Sequence, residues 1–357
     1  MSKITVRSVD RAFRKGEREV VALKDVTFDI KEGESFGILG PSGAGKTTLL
    51  RIMAGLDVPT KGEVYFGDKI AAKDGKLLLE PKDRDIGFVF QTWALYPNMS
   101  GYDNIAFPLK NMNLDSQEIH KRVSDIANTL GITQVLDHYP REMSGGQMQR
   151  VALARALVKM PSTLFLDEPF TNLDARIRDG ARALVKEITK KFNITTVIVS
   201  HDPADIFGVA ERVGVLDRGY MVQIGSPTQV YDSPVSVTVA NLIGEINELQ
   251  VAVASEEKKL TIGKLSLDLP PGLSGSKVII GIRPEDVIAS REPLQISGLE
   301  LLDKARFSIL SYQGGHFRLT LELKSDNQQI FTYVDQPIKG DEYYVYVRKE
   351  KIKIFSS

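Results

Sequence analysis

Along this chain the spacing of apolar and polar residues changes three times, and each change predicts a different kind of structure. Up to about residue 40 the two alternate: "KITVRSV" and the longer "EVVALKDVTFDI" read as strands, with Gly16 and Gly33 at the turns. From Ser35 the pattern becomes short apolar runs, "SFGIL", "STLFL" and "TTVIVS", followed by segments of helical period. Such runs predict strands buried on both sides, in the mostly parallel sheet of an α/β fold covered by helices. Between Asn98 and Met160 the strand signal stops. There "LDSQEIHKRVSDIANTLGI" puts Ile119, Val123, Ile126 and Leu130 on one helical face, Asp115 and Glu118 have capping-box spacing, and Gly131 fits the helix exit. The stretch from about 98 to 160 therefore reads as a helical insertion. After about Ile243 alternation returns in "ELQVAVA", "KLTIGKLSLDL", "KVIIGI", "ARFSILSYQGGHFRLTLEL" and "EYYVYVRKEKIKIF". Two domains are expected: residues 1–240, and a small all-β domain over 244–357.

Composition narrows what such a chain can do. With 357 residues it exceeds one ordinary core, and its 46 basic residues balance 46 acidic ones, so no net charge attracts a polyanion. Nucleic acid is not an expected partner. The absence of cysteine removes disulfides, thiolate catalysis and cysteine zinc sites. "MSKITVRSVDRAFRKGE" has no apolar signal-like core, and no run approaches the roughly 18 apolar residues of a membrane span. A cytoplasmic location is the default, and any action at a membrane would need another subunit to hold the chain there.

The chemistry begins in "GILGPSGAGKTTLL". Gly40, Pro41, Ser42, Gly43, Ala44, Gly45, Lys46, Thr47 and Thr48 form the P-loop pattern, with a strand before it and the apolar helix "KTTLLRIMAGL" after it. Glycines let backbone N–H groups approach phosphate oxygens, and the helix aims its positive end at the same charge. Lys46 adds a cation, and Thr47 offers a hydroxyl to Mg²⁺, so the loop is expected to hold a nucleoside triphosphate. "STLFLDEP" then delivers two carboxylates to a strand end, where ligands of open α/β sheets bind. Asp167 is assigned to Mg²⁺ and Glu168 to polarising the attacking water. Alone, that pair could equally cap the next helix.

These two elements leave kinases, GTPases, helicases and transporter ATPases open. Within "REMSGGQMQRVALARALVKM", Ser144 is an N-cap candidate and Gly145 and Gly146 expose bare backbone, which makes a second anion site at a helix start. Ser144-Gly145-Gly146-Gln147 resembles the signature of ATP-binding-cassette (ABC) ATPases, with Met143 where that family more often has leucine. The resemblance implies a head-to-tail homodimer in which each ATP lies between one subunit's P-loop and its partner's signature. It also implies roles for Gln91 as the Q-loop glutamine near Mg²⁺ or the attacking water, for Asp174 as the D-loop aspartate, and for His201 as the switch histidine on the γ-phosphate. Phe13 falls where the family places an aromatic under adenine.

"GIRPEDV", Gly281 to Val287, resembles a motif in the OB-like regulatory domain of carbohydrate-importer ATPases of the maltose-uptake type, and the whole chain looks most like those of archaeal glucose importers. The resemblance implies ATP and Mg²⁺ as cofactors, two multi-spanning permease subunits as partners, an extracellular solute-binding protein acting indirectly, and a place on the cytoplasmic face of the membrane. A soluble ABC ATPase acting mechanically on nucleic acid or ribosomes is the alternative. Tandem cassettes, long coiled-coil insertions or basic arms would mark it, and the chain shows none of them.

Overall fold

The computed structural model describes residues 3–16, 18–110, 112–254, 259–271, 276–337 and 340–356. The chain divides into two compact units, Met1–Val230 and Tyr231–Ser357.

In the first unit the three apolar runs lie side by side. Ser35–Leu39, Thr195–Ser200 and Thr163–Asp167 are the buried centre of a six-stranded sheet ordered Tyr220–Gly225, Arg212–Asp217, Ser35–Leu39, Thr195–Ser200, Thr163–Asp167, Ile86–Val89. The pairings are parallel except for that of Tyr220–Gly225, which runs antiparallel to Arg212–Asp217. Such an arrangement sets the ends of Ser35–Leu39 and Thr163–Asp167 on the same edge of the sheet, separated by Thr195–Ser200.

The predicted β-rich opening is a long hairpin, Ile4–Lys15 with Arg18–Ile30. It does not stand alone. After the P-loop helix the chain returns through Lys61–Phe66, Lys69–Lys73 and Lys76–Leu77 to extend the same antiparallel sheet, where simple βα alternation was expected from Ser35 onward. A tight turn at Gly67 (φ 57°) joins Lys61–Phe66 to Lys69–Lys73. Ile4, Val6 and Leu23 of this sheet share one core with Phe36, Leu49, Ile52, Phe165 and Val197, so the P-loop helix Lys46–Ala54 is packed within a core common to both sheets.

Arg84 is 2% exposed at the far end of that helix. Its guanidinium donates to the Ile52 and Met53 carbonyls at 3.2 and 2.6 Å, to Ala71 at 3.0 Å and to Leu79 at 2.9 Å. Burial lowers its pKa to about 10, so it stays charged at neutral pH. Arg84 thus satisfies helix-terminal carbonyls that would otherwise be orphaned and joins them to the antiparallel sheet.

The stretch expected to be helical contains Gly101–Ala106, Ser116–Leu130 and Gly145–Leu157. Val123, Ile126 and Leu130 are buried, and Gly131 ends its helix at φ 63°. The capping box at Asp115 is half made: Asp115 accepts from the Glu118 N–H at 2.8 Å, but the Glu118 carboxylate pairs with Arg122 at 2.7 Å. An i, i+4 cation nearby wins the carboxylate from the backbone.

The described residues of the second unit form two five-stranded sheets. One is ordered Leu265–Asp268, Lys259–Ile262, Asn247–Ala254, Lys277–Ile282, Lys353–Ser356, and the other Val287–Ser290, Glu342–Val347, Glu300–Tyr312, Phe317–Leu323, Gln329–Val334. Their inward residues share one core, Leu249, Ile280, Leu302, Leu321 and Val345 among them, so this unit is all-β at heart, as its alternation predicts. Helix Val237–Ile243 belongs to it through Arg283 of "GIRPEDV", which donates to the carbonyls of Ala240, Gly244 and Glu245 at 2.8–3.0 Å.

Candidate functional site

The loop between strand Ser35–Leu39 and helix Lys46–Ala54 is shaped by its glycines. At Gly45 φ is 105° and a Cβ would lie 2.4 Å from the Ala22 carbonyl oxygen; at Gly40 it would lie 2.3 Å from that of Leu216. At Gly43 φ is 80° and nothing lies within 4 Å, so that backbone faces open space.

Lys46 is 5% exposed, and its ammonium donates to the Gly40 and Pro41 carbonyls at 2.9 and 3.0 Å. Burial lowers its pKa below that of an ordinary lysine, although Glu168 and Asp167 pull the other way. The opposite holds for Asp167, which accepts from Thr47 Oγ1 at 2.8 Å: burial raises its pKa, against the Thr47 hydrogen bond and nearby cations. In both groups burial outweighs the opposite charges already nearby. A phosphate beside Lys46 and a cation beside Asp167 would favour the charged forms that burial disfavours, so the residues fit a Mg²⁺-nucleotide.

Glu168 follows in the left-handed region at φ 44°, an uncommon conformation for a side-chain-bearing residue, held by its N–H donating to Val199 at 3.0 Å. That turn separates the adjacent carboxylates. Where Asp167 meets Thr47, Glu168 Oε2 lies 3.4 Å from Gln91 Nε2, 3.2 Å from His201 Nδ1 and 3.2 Å from Thr171 Oγ1, with Lys46 Nζ 3.8 Å from Oε1. Three separate segments and Thr171 of its own turn meet at one carboxylate. They line a cavity of about 580 Å³ together with Ala22, Ser42, Gly43, Gly45, Thr47 and Thr48.

Other expected site residues lie elsewhere. Ser144 caps helix Gly145–Leu157 in a full capping box, accepting from Gln147 N–H at 3.4 Å while its own N–H donates to Gln147 Oε1 at 2.8 Å. Neither these residues nor Gly145 and Gly146 line the cavity. Asp174 is exposed at the start of helix Ala175–Lys191 and makes no side-chain cap. Phe13 is 39% exposed, with the Arg11 guanidinium 4.3 Å from its ring centre, and is also outside the cavity lining.

The loop after Gln91 is tied to the helical stretch, since Arg155 donates to the Trp93 and Ala94 carbonyls at 2.7 and 2.8 Å. Sequence reasoning missed Thr171, whose place three residues after Glu168 was the available signal, and Ala22, which lines the cavity from the opening hairpin. Among the described residues no helix is long and apolar enough to cross a membrane.

The ABC transporter family pattern matches residues 23–171, and that of the glucose ABC transporter C-terminal domain matches residues 300–356. The chain is 56% identical over 356 residues to the glucose import ATP-binding protein GlcV of Saccharolobus solfataricus, covering 99% of both chains. It is 45% identical to the trehalose/maltose import ATP-binding protein MalK of Thermococcus litoralis over 281 residues, 75% of each. Among solved structures it resembles a dimeric post-hydrolysis ATP-binding cassette bound to ADP and Pi, at 33% identity and a TM-score of 0.57, covering 63% of this chain and 98% of the other.

Proposed function

This chain belongs to the ABC transporter ATPases, and we propose that it is the ATP-hydrolysing subunit of a sugar importer, with glucose or a related carbohydrate as the solute. The family and the full-length likeness to a glucose import ATP-binding protein support the reading. The convergence of Gln91, Thr171, His201 and Lys46 on the Glu168 carboxylate carries its chemistry.

ATP binds along the P-loop from Gly40 to Thr48, its phosphates replacing the carbonyls that Lys46 now contacts. Ala22 lines the cavity from strand Arg18–Ile30, and Phe13, which pairs with Val20 across the same hairpin, would pack under the adenine. Thr47, Gln91 and Asp167 would hold Mg²⁺, which when bound neutralises phosphate charge. Glu168 accepts a proton from the attacking water, Gln91 and Thr171 orient the carboxylate, and His201 meets the γ-phosphate side of the same cavity.

The signature residues Ser144, Gly145, Gly146 and Gln147, with Asp174, serve the partner's nucleotide in a head-to-tail homodimer. Two permease subunits hold the dimer at the cytoplasmic face of the membrane, and an extracellular solute-binding protein supplies the sugar. The unit Met1–Val230 carries the catalysis, and Tyr231–Ser357, which takes in helix Val237–Ile243 and so begins before the boundary expected at 240–244, forms a regulatory domain without a catalytic group. No basic arm or net charge favours the nucleic-acid alternative.

Glu168→Gln tests the central role because it keeps shape and hydrogen bonding but loses proton affinity. Hydrolysis should fall by roughly 10²–10⁴-fold with ATP binding retained, and the ATP-bound dimer should accumulate in mass measurements. Near-normal turnover would remove Glu168 from the role.

A further inference from the structure

Two arginines one turn apart on helix Ala175–Lys191 hold segments that carry reacting groups. Arg178 Nε donates to the Leu173 carbonyl at 3.0 Å and Nη2 reaches that of Thr171 at 3.5 Å, bracing the turn that follows Glu168; its Nη1 lies 3.8 Å from Asp202. Arg182 is deeper. Its Nε and Nη2 both donate to Asp205 Oδ1, at 2.8 and 2.6 Å, and it also reaches Asp179 at 2.8 Å and Asp202 at 3.5 Å. The other Asp205 oxygen accepts from Ser200 Oγ at 2.8 Å, and Ser200 Oγ accepts from the Asp202 N–H at 3.0 Å. Both chain neighbours of His201 are therefore anchored through Asp205 to Arg182.

The side chains of Arg182 and Asp205 are 13% and 3% exposed. A buried ion pair is a weak source of stability, because desolvation offsets the attraction; its clearer product is a fixed arrangement. Room has been left for this one, since a Cβ at Gly208 would lie 3.2 Å from Arg182 Cδ. The His201 side chain is 52% exposed, so packing does little to place it and its anchored neighbours must.

We infer that Arg182, with Asp205 and Arg178, is a positioning residue for ATP hydrolysis: the helix that starts after Asp174 sets the His201 segment and the turn after Glu168 in one frame. The inference rests on the roles proposed for Glu168 and His201. It also makes Asp174 a lever, because a push there reaches His201 through a single helix.

Arg182→Gln removes the charge and the fork. In the full-length chain kcat should fall about tenfold or more while ATP affinity stays within about threefold, since no nucleotide contact is removed. The chain has 4 histidines, so imidazole resonances can be followed one by one: that of His201 should shift while those of His120, His138 and His316 hold. Should Arg182→Gln fail to fold, the Arg182→Gln/Asp205→Asn double variant leaves no buried unpaired charge, and it should show the same kcat loss and the same His201 shift. Arg182→Lys, with charge but no fork, should recover part of both.

Turnover within about twofold of wild type with an unmoved His201 resonance would overturn the inference. So would equal losses in binding and turnover with all four resonances shifted, which is the mark of a general structural role. If His201→Ala turns over normally, the role of His201 is wrong, and the His201 resonance in Arg182→Gln still decides whether Arg182 places that segment.

Discussion

The P-loop and the Ser144–Gln147 stretch are both glycine-bearing starts of helices in the same unit, and they are built in opposite ways. At the first, Gly45 has no side-chain cap, a buried lysine lies beneath the loop, and groups from three other segments face it across a cavity. At the second, Ser144 and Gln147 satisfy the helix start between themselves. The glycines differ in the same sense. Gly45 is forced by its own surroundings, whereas a Cβ at Gly146 would meet only ordinary contact, 3.4 Å from Ile177 Cγ2. A glycine with space around it, on a helix whose own needs are met, makes sense when its constraint comes from another molecule. On the proposed reading the first is half of a binding site, and the second is the surface that completes the partner's.

The hardest test of this contrast mixes lesions. Lys46→Ala and Ser144→Arg should each leave the homodimer at least about 10²-fold less active. Combining the two proteins should restore activity, up to about half per mixed dimer, because one interface then pairs an intact Lys46 with an intact Ser144 while the other collects both lesions. No gain, with heterodimers confirmed by mass measurement, would break the shared-site reading unless the two sites fire only together. A covalently linked dimer bearing a single Ser144→Arg lesion separates those cases, since only the ATP served by the other half's Lys46 should lose affinity.

A gentler test places the same substitution at both helix starts. Gly45→Ala should destabilise the chain by about 2 kcal/mol or more, through its positive φ and the clash with Ala22. Gly146→Ala should stabilise it by about 0.5 kcal/mol through helix propensity, yet lower turnover about tenfold. Thermal melts and steady-state rates read both, and normal turnover in Gly146→Ala would mean that no partner approaches that backbone.

The smallest effect expected is thermal and confined to the first site. Asp167 has a folded pKa raised above its ordinary 3.8, so its contribution to stability is largest below that value and is lost as pH rises through the folded value. At pH 7 its carboxylate opposes folding of the ligand-free chain. Asp167→Asn should therefore raise the melting temperature by about a few degrees at pH 7, with little change at pH 3, while lowering turnover. A lower melting temperature at pH 7 would show that Asp167 is not held at the expense of stability.

The P-loop and the acidic pair of the first site were legible because their signals are contiguous, a glycine loop between a strand and a helix and two carboxylates ending an apolar run; Gln91 and His201 entered only through the family resemblance, and Thr171 and Ala22 belong to no such pattern. Other features were not legible, for a common physical reason. The four carbonyls bound by Arg84 belong to residues 52, 53, 71 and 79, and no local pattern announces an arginine whose partners are scattered. Arg182 and Asp205 are 23 positions apart, on different helices. The return of residues 61–77 to the opening hairpin was missed because those strands are short and partly polar, and tertiary pairing, not local period, sets them. Glu118 was misread in a smaller way, its carboxylate preferring Arg122 to the backbone.

The buried guanidinium of Arg84 has one more consequence. Helix Lys46–Ala54 is nine residues long, or about 13 Å, and its aligned peptide dipoles run from Arg84 at the negative end to the phosphate-facing loop at the positive end. With ATP bound, that helix becomes a polarised column terminated at both ends by opposite charge, cation at the foot and anion at the head. A bound nucleotide would then feel a residue that it never touches, on the opposite side of the core, where Arg84 is fastened to the antiparallel sheet at Ala71 and to the chain just beyond it at Leu79.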